Sequence, residues 1–171
     1  MKTLYFIRHA KAQQHGYEDD FNRDLTKRGE EDIARVAQEL ANELANKLAN
    51  NLANSAATAP RIISSSAKRA LRTAQILAAG LGFKGQIEAL DELYNAGARE
   101  LLELVLNRLD AASPASGSAF IIGHNPTMHE VCELVSGREL LGFPTSSVFG
   151  VEGGRDELLS GRARVILEKL R

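Results

Sequence analysis

The sequence predicts an α/β fold, a three-layer α/β/α sandwich around a mainly parallel central sheet, with an antiparallel element near the C-terminus. Three observations carry this expectation. Short runs such as Leu4-Tyr5-Phe6-Ile7 and Phe120-Ile121-Ile122 are apolar at consecutive positions, as strands covered on both faces are. Helix-period segments follow these runs in regular alternation, which makes repeated βα units. Residues 147–152 and 163–168 alternate in strand fashion instead, and so complete the sheet as its antiparallel part. A chain of 171 residues, 44% hydrophobic, is expected to form one domain over residues 1–171. Such a chain buries roughly 70% of its unfolded surface without a metal or disulfide staple.

In chain order, the first strand is expected near residues 3–7, followed by a polar loop through Asp24. A helix starts at the N-cap Thr26 and runs into a Leu-Ala-Asn repeat over residues 40–54. A strand at 61–64 leads to a helix at about 67–81, and a short strand near 87–90 to a helix at 99–109. A strand at 119–122 leads to a helix at 126–135, with Asn125 as N-cap and Pro126 at the first helical position. The Leu-Ala-Asn repeat is too short for a solenoid and reads as a lengthened surface helix. Its leucines drift by about 40° per four-residue repeat, so they cover the domain at one end and overhang it at the other.

Three of these strands end in polar residues of one chemical kind. Arg8-His9 follows the first, placing a nucleophile and an anion clamp at a carboxyl end, where ligands of parallel sheets bind. Ser64-Ser65-Ser66 follows the second and opens a helix whose first turn carries Arg69, with Arg72 three residues on. Free N–H groups, the helix dipole and an arginine fork all favour a phosphate there, although serines at such a place also serve simply as caps. Gly123-His124-Asn125-Pro126 follows the fourth, with a glycine that permits close backbone approach and a further helix N-terminus.

These segments, Leu4 to Ala10, Ser65 to Ala74 and Ile122 to Pro126, resemble in sequence and order the three motifs of the histidine phosphatase, or phosphoglycerate-mutase-like, superfamily. Ala10, the segment Arg23-Asp24-Leu25-Thr26-Lys27-Arg28-Gly29 and the Gly-His-Asn-Pro turn are similar to those of its SixA-type phosphohistidine phosphatases. The resemblance implies His9 as nucleophile, with Arg8, Arg69 and His124 forming the phosphate pocket; Asn125, at the helix N-terminus facing the same crevice, is a further candidate for substrate binding. It implies a metal-independent phosphatase without cofactor, working through a covalent phospho-His9 on a phosphorylated protein such as a histidine phosphotransfer domain. Glu92 stands where the superfamily's phosphoester branches place a proton donor. A phosphohistidine's imidazole leaves more readily than an alkoxide, so Glu92 is equally well structural. His15 and Arg23, in the loop after the nucleophile, either contact substrate or are solvated. The competing readings are a small-molecule phosphomonoester phosphatase or mutase, and a phosphoprotein-binding module that does not turn over.

Other classes are disfavoured. A formal charge of −1 gives no general attraction to nucleic acid or acidic membranes. No stretch is long enough to span a bilayer, and Arg8 interrupts the N-terminal apolar run too early for a secretory signal. With a single cysteine, Cys132, the cytoplasm is the expected compartment. Cys132 to Arg138 has the Cys-x5-Arg spacing of cysteine-dependent phosphatases, but Cys132 falls within a helix rather than after a strand, so a small buried thiol is expected. His129, Cys132 and Glu133 lack the further ligands of a structural zinc site. The oligomeric state is not legible.

Overall fold

A computed structural model describes residues 1–50 and 59–170, the side chains of residues 47–50 excepted. The chain forms β1 (Lys2–Arg8), α1 (Lys27–Asn50), β2 (Arg61–Ser65), α2 (Lys68–Leu81), β3 (Ile87–Leu90), α3 (Ala98–Ala112), β4 (Gly117–Gly123), α4 (Thr127–Ser136), β5 (Val148–Gly153), α5 (Arg155–Leu159) and β6 (Arg164–Lys169). The six strands make one sheet in the order β3-β2-β4-β1-β5-β6. The pairs β3/β2, β2/β4 and β4/β1 are parallel, while β5 runs antiparallel to both β1 and β6.

The consecutive apolar residues of each strand divide between two cores because successive side chains point to opposite faces. Leu4, Phe6, Ile63, Ala119, Ile121, Phe149 and Val151 pack with buried residues of α3, α4 and α5. Tyr5, Ile7, Ile62, Phe120, Ile122 and Val148 pack with those of α1 and α2 on the other face. Tyr5 and Phe120, paired in the β1/β4 register, stack with ring centroids 4.8 Å apart.

Thr26 caps α1 as expected, accepting from the Gly29 N–H at 3.0 Å. A Cβ at Gly29 would lie 2.2 Å from the Lys11 carbonyl oxygen, so only glycine lets this first turn press against the segment following β1. Leu40 of the Leu-Ala-Asn repeat is buried in the α1/α2 core and Leu44 packs against it. Residues 51–54 of the repeat, and hence its expected overhang, lie outside the described residues.

Two local expectations are corrected. Asn125 does not cap α4: Pro126 occupies the cap position and the Asn125–Pro126 peptide is cis. The Asn125 amide instead donates to the Phe143 carbonyl at 2.8 Å. The cap of α2 is Ala67, without a side-chain cap bond, and Ser64 and Ser65 are the last residues of β2. Helix α5 and two short 3-10 turns, Asp20–Asn22 and Asp91–Leu93, add to the expected elements.

Candidate active site

The carboxyl ends of β1, β2 and β4 converge on a cleft of about 590 Å³ lined by charged and polar residues, among them Arg8, His9, Asp20, Arg69, His124 and Asn125. His9 forms its floor and is 7% exposed. Its backbone is fixed from the β4 side by the His9 N–H, which donates to the Gly123 carbonyl at 3.0 Å. Next to it, the Ala10 N–H donates to the Thr73 hydroxyl at 3.0 Å, and that hydroxyl donates to the Arg69 carbonyl at 2.7 Å. The nucleophile motif and the second arginine are thus tied to one another through α2.

The His9 ring has a defined proton position. Nδ1 lies 2.7 Å from the Ala10 carbonyl oxygen, which can only accept, so Nδ1 carries the proton. Nε2 therefore keeps its lone pair, with Arg69 Nε 3.4 Å away. Burial lowers the His9 pKa to about 3; the Ala10 hydrogen bond, the next largest effect, opposes it, and His124, Arg69 and Arg8 each add a smaller lowering. The ring is accordingly a neutral nucleophile at ordinary pH. His124 sits beside it, ring centroids 5.3 Å apart, with its pKa lowered to about 4 by burial and by Arg69. The Ser65 hydroxyl accepts from the Ala67 N–H at 3.3 Å and is hydrogen-bonded to His124 Nε2 at 2.8 Å. The other ring nitrogen of His124, Nδ1, is buried and has no protein partner.

The two arginines differ in their attachments. Arg8 donates to the Phe143 carbonyl at 3.2 Å, its buried Nε is unpaired, and burial together with Arg69 lowers its pKa. Arg69 is held through Nη1 to the Asp20 carbonyl oxygen at 2.5 Å and through Nη2 to the Asp20 carboxylate at 3.0 Å. Asp20 also accepts from the Tyr94 hydroxyl at 2.5 Å and from Arg23 Nη1 at 3.1 Å. These bonds hold its carboxyl well below the usual carboxylate range, the Tyr94 bond most strongly. Tyr94 stacks edge-on against both His124 and Phe21.

Of the residues singled out in the sequence, Arg8, His9, Arg69, His124, Asn125 and Arg23 line this cleft. Glu92 does not: it is exposed on the Asp91–Leu93 turn, outside the cleft lining, and the same turn brings Tyr94 to the site instead. His15 is exposed and outside the lining, and Arg72 faces α1 through Glu30 at 3.4 Å. Asp20 and Tyr94 were not anticipated. The one available signal was an acidic pair, Asp19-Asp20, in the loop directly after the nucleophile, where a phosphate pocket has no evident use for negative charge.

Cys132 is fully buried in α4, and burial pushes its thiol pKa well up. Arg138 pairs with Glu168 at 2.6 Å rather than facing it. The Cys-x5-Arg spacing therefore forms no phosphate loop. His129 bonds to Glu133 at 3.2 Å and to the Leu140 carbonyl at 3.0 Å.

A neutral histidine at the floor of an arginine-lined cleft, at the carboxyl end of the central strands of an α/β sheet, makes a class of site suited to nucleophilic phosphoryl transfer. The chain belongs to the histidine phosphatase superfamily: the model of its branch 1 matches residues 4–103, and this membership indicates a phosphatase. No curated protein sequence matches the chain. Among solved structures it is similar to a protein assigned as the phosphohistidine phosphatase SixA of Agrobacterium tumefaciens, at 27% identity and TM-score 0.76, covering 99% of this chain and 97% of that one. It is also similar to the protein histidine phosphatase SixA complexed with tungstate, at 22% identity and TM-score 0.69, covering 98% and 96%. A mycobacterial glucosyl-3-phosphoglycerate phosphatase matches at 14% identity and TM-score 0.66, covering 98% of each chain. The last two likenesses are of fold. Among the described residues, no helix is long and apolar enough to cross a membrane.

Proposed function

We propose that the chain is a single-domain, metal-independent phosphohistidine phosphatase, acting in the cytoplasm on a histidine of a signalling or phosphotransfer protein through a phospho-His9 intermediate. The observation that carries this reading is the state of His9: Nδ1 donates to the Ala10 carbonyl, so Nε2 is unprotonated and its lone pair, which accepts from Arg69 Nε at 3.4 Å, lies inside an arginine-lined cleft. A module that only binds phosphate needs positive charge but has no use for an unprotonated nucleophile. The similarity to the Agrobacterium SixA along nearly the whole chain supports phosphohistidine as substrate.

In this mechanism His9 Nε2 attacks phosphorus in line, the leaving group departs from the opposite side, and water later hydrolyses the phosphohistidine. Arg8 and Arg69 hold the nonbridging oxygens as charge redistributes, and the neutral His124 ring supplies a hydrogen-bond donor beside them. Asn125 fixes the rim of the pocket by tethering the Phe143 carbonyl, which also receives Arg8.

The test is incubation with a phosphorylated histidine phosphotransfer domain, beside a panel of sugar and glycerate phosphates, all in EDTA. Acid-free quenching and mass spectrometry then locate any phosphoryl group on the enzyme. Label on His9 and a preference for the protein substrate are expected. Preference for the metabolites would overturn the substrate assignment, and turnover with no label on His9 would overturn the mechanism.

A further inference from the structure

A carboxylate at the mouth of an anion-binding cleft opposes the ligand's charge. Asp20 is such a group: its side chain is 52% exposed, lines the cleft, and is held toward it by Arg69, Arg23 and Tyr94. Placing Arg69 does not by itself require the carboxylate, because the main-chain carbonyl of Asp20 already accepts from Arg69 Nη1 at 2.5 Å, as any residue's carbonyl would. His9 lies on the floor of the cleft at 7% exposure, so in-line displacement drives the leaving group outward, toward the mouth where Asp20 stands. A leaving group that gains from meeting a carboxylate there carries an N–H and a positive charge.

Resting on the phosphatase reading above, we propose that Asp20 is a specificity-determining residue that accepts a hydrogen bond from the protonated ring nitrogen of a phosphohistidine. It thereby selects N-phosphorylated imidazole over phosphoesters. In phosphohistidine one ring nitrogen carries phosphorus and the other takes a proton. Attack by the His9 Nε2 lone pair forms a new P–N bond, and the old P–N bond breaks with its electron pair remaining on the departing nitrogen. The ring leaves as neutral imidazole, its proton still on the far nitrogen against Asp20. Without that proton the ring would leave as imidazolate, a far poorer leaving group. No acid delivers a proton during the step, which accords with Glu92 lying outside the cleft lining. A sugar or glycerate phosphate offers no N–H cation, and a glycerate brings a second negative charge toward Asp20.

The experiment compares kcat/KM for N-phosphoimidazole and p-nitrophenyl phosphate in the wild type, Asp20→Asn and the charge-retaining Asp20→Glu. Asp20→Asn is expected to lower the ratio of the first to the second by about 10- to 100-fold, the range of a charge-assisted hydrogen bond. Phosphoimidazole turnover falls, and nitrophenyl phosphate turnover rises as a like charge leaves the cleft. Asp20→Glu keeps most of the ratio. If both substrates fall together in Asp20→Asn, Asp20 only positions Arg69 and the proposal is overturned. Should Asp20→Asn fail to fold by circular dichroism, Asp20→Ser removes the same charge and carries the same expectation. A wild-type enzyme that hydrolyses nitrophenyl phosphate but not phosphoimidazole would instead overturn the phosphohistidine reading itself, before any variant is made.

Discussion

Strand β1 carries a basic residue at each end, and the two are treated in opposite ways. Lys2, at the amino end, is buried, and its ammonium group is fully provided for: Asp110 lies at 2.7 Å, and the carbonyls of Ser113, Pro114 and Ser116 at 3.3 to 3.4 Å. Arg155 meets the other oxygen of Asp110 at 2.8 Å. Arg8, at the carboxyl end, has one carbonyl partner, an unpaired buried Nε, and a second guanidinium close enough to disfavour its charge. A buried charge that is completely paired holds a structure together, whereas one left short of partners is a cost that a ligand can offset. The difference separates a structural cation from a functional one on the same strand.

The sharpest way to break this comparison is to remove each cation in turn. Arg8→Ala is expected to lower turnover by on the order of 10²-fold, the scale of a lost preorganised charge stabiliser, while leaving the denaturation midpoint unchanged or raised. Lys2→Met is expected to do the reverse. It leaves Asp110 and three carbonyls short of a donor, at a cost of about 2 kcal/mol in urea unfolding, with kcat within twofold of wild type. If Lys2→Met cost activity and Arg8→Ala cost mainly stability, the division would be wrong.

The pH dependence sharpens it further. Burial lowers the pKa of His9 to about 3 and of His124 to about 4, whereas unfolded histidines titrate near 6.5. Between these values the unfolded chain binds more protons than the folded one, so stability rises with pH through this window and levels off above about 6.5. The carboxyl end of the sheet should therefore weaken the fold in mild acid, unlike the Lys2 cluster, where the Lys2 and Arg155 partners hold the Asp110 carboxyl below the usual carboxylate range. Imidazole resonances of His9 and His124 that titrate above pH 5 would contradict this.

The smallest expected effect is at Cys132. Cys132→Ser places a hydroxyl in a fully buried site and should cost about 1 kcal/mol of stability with no loss of turnover. Abolished turnover would return the chemistry to the cysteine motif.

The strands and helices were legible because their signals are local. The two-faced apolar runs of β1 and β4, the Thr26 cap and the alternation of β5 and β6 each state their own conformation in a few residues. So do the three strand-end motifs, whose shared pattern points Arg8, His9, Arg69 and His124 to the carboxyl end of one sheet. The capping role expected of Asn125 failed: its amide N–H donates to a tertiary acceptor, the Phe143 carbonyl, and its Oδ1, the atom a cap would use, has no partner.

What tertiary structure alone decided is which residues complete the pocket. Asp20 and Tyr94 lie 74 positions apart and meet through a single hydrogen bond at 2.5 Å, in loops with no periodicity to announce them. Glu92 and Tyr94, two residues apart at one turn, differ in which of them touches the cleft residues Asp20 and His124, and sequence spacing cannot decide that. The charge state of His9 is likewise a tertiary property: it depends on burial, on the Ala10 carbonyl and on cations delivered from other strands. Periodicity and capping are set by neighbours a few residues away and can be read from the chain, whereas loop packing and desolvation depend on which distant segments the finished fold brings together.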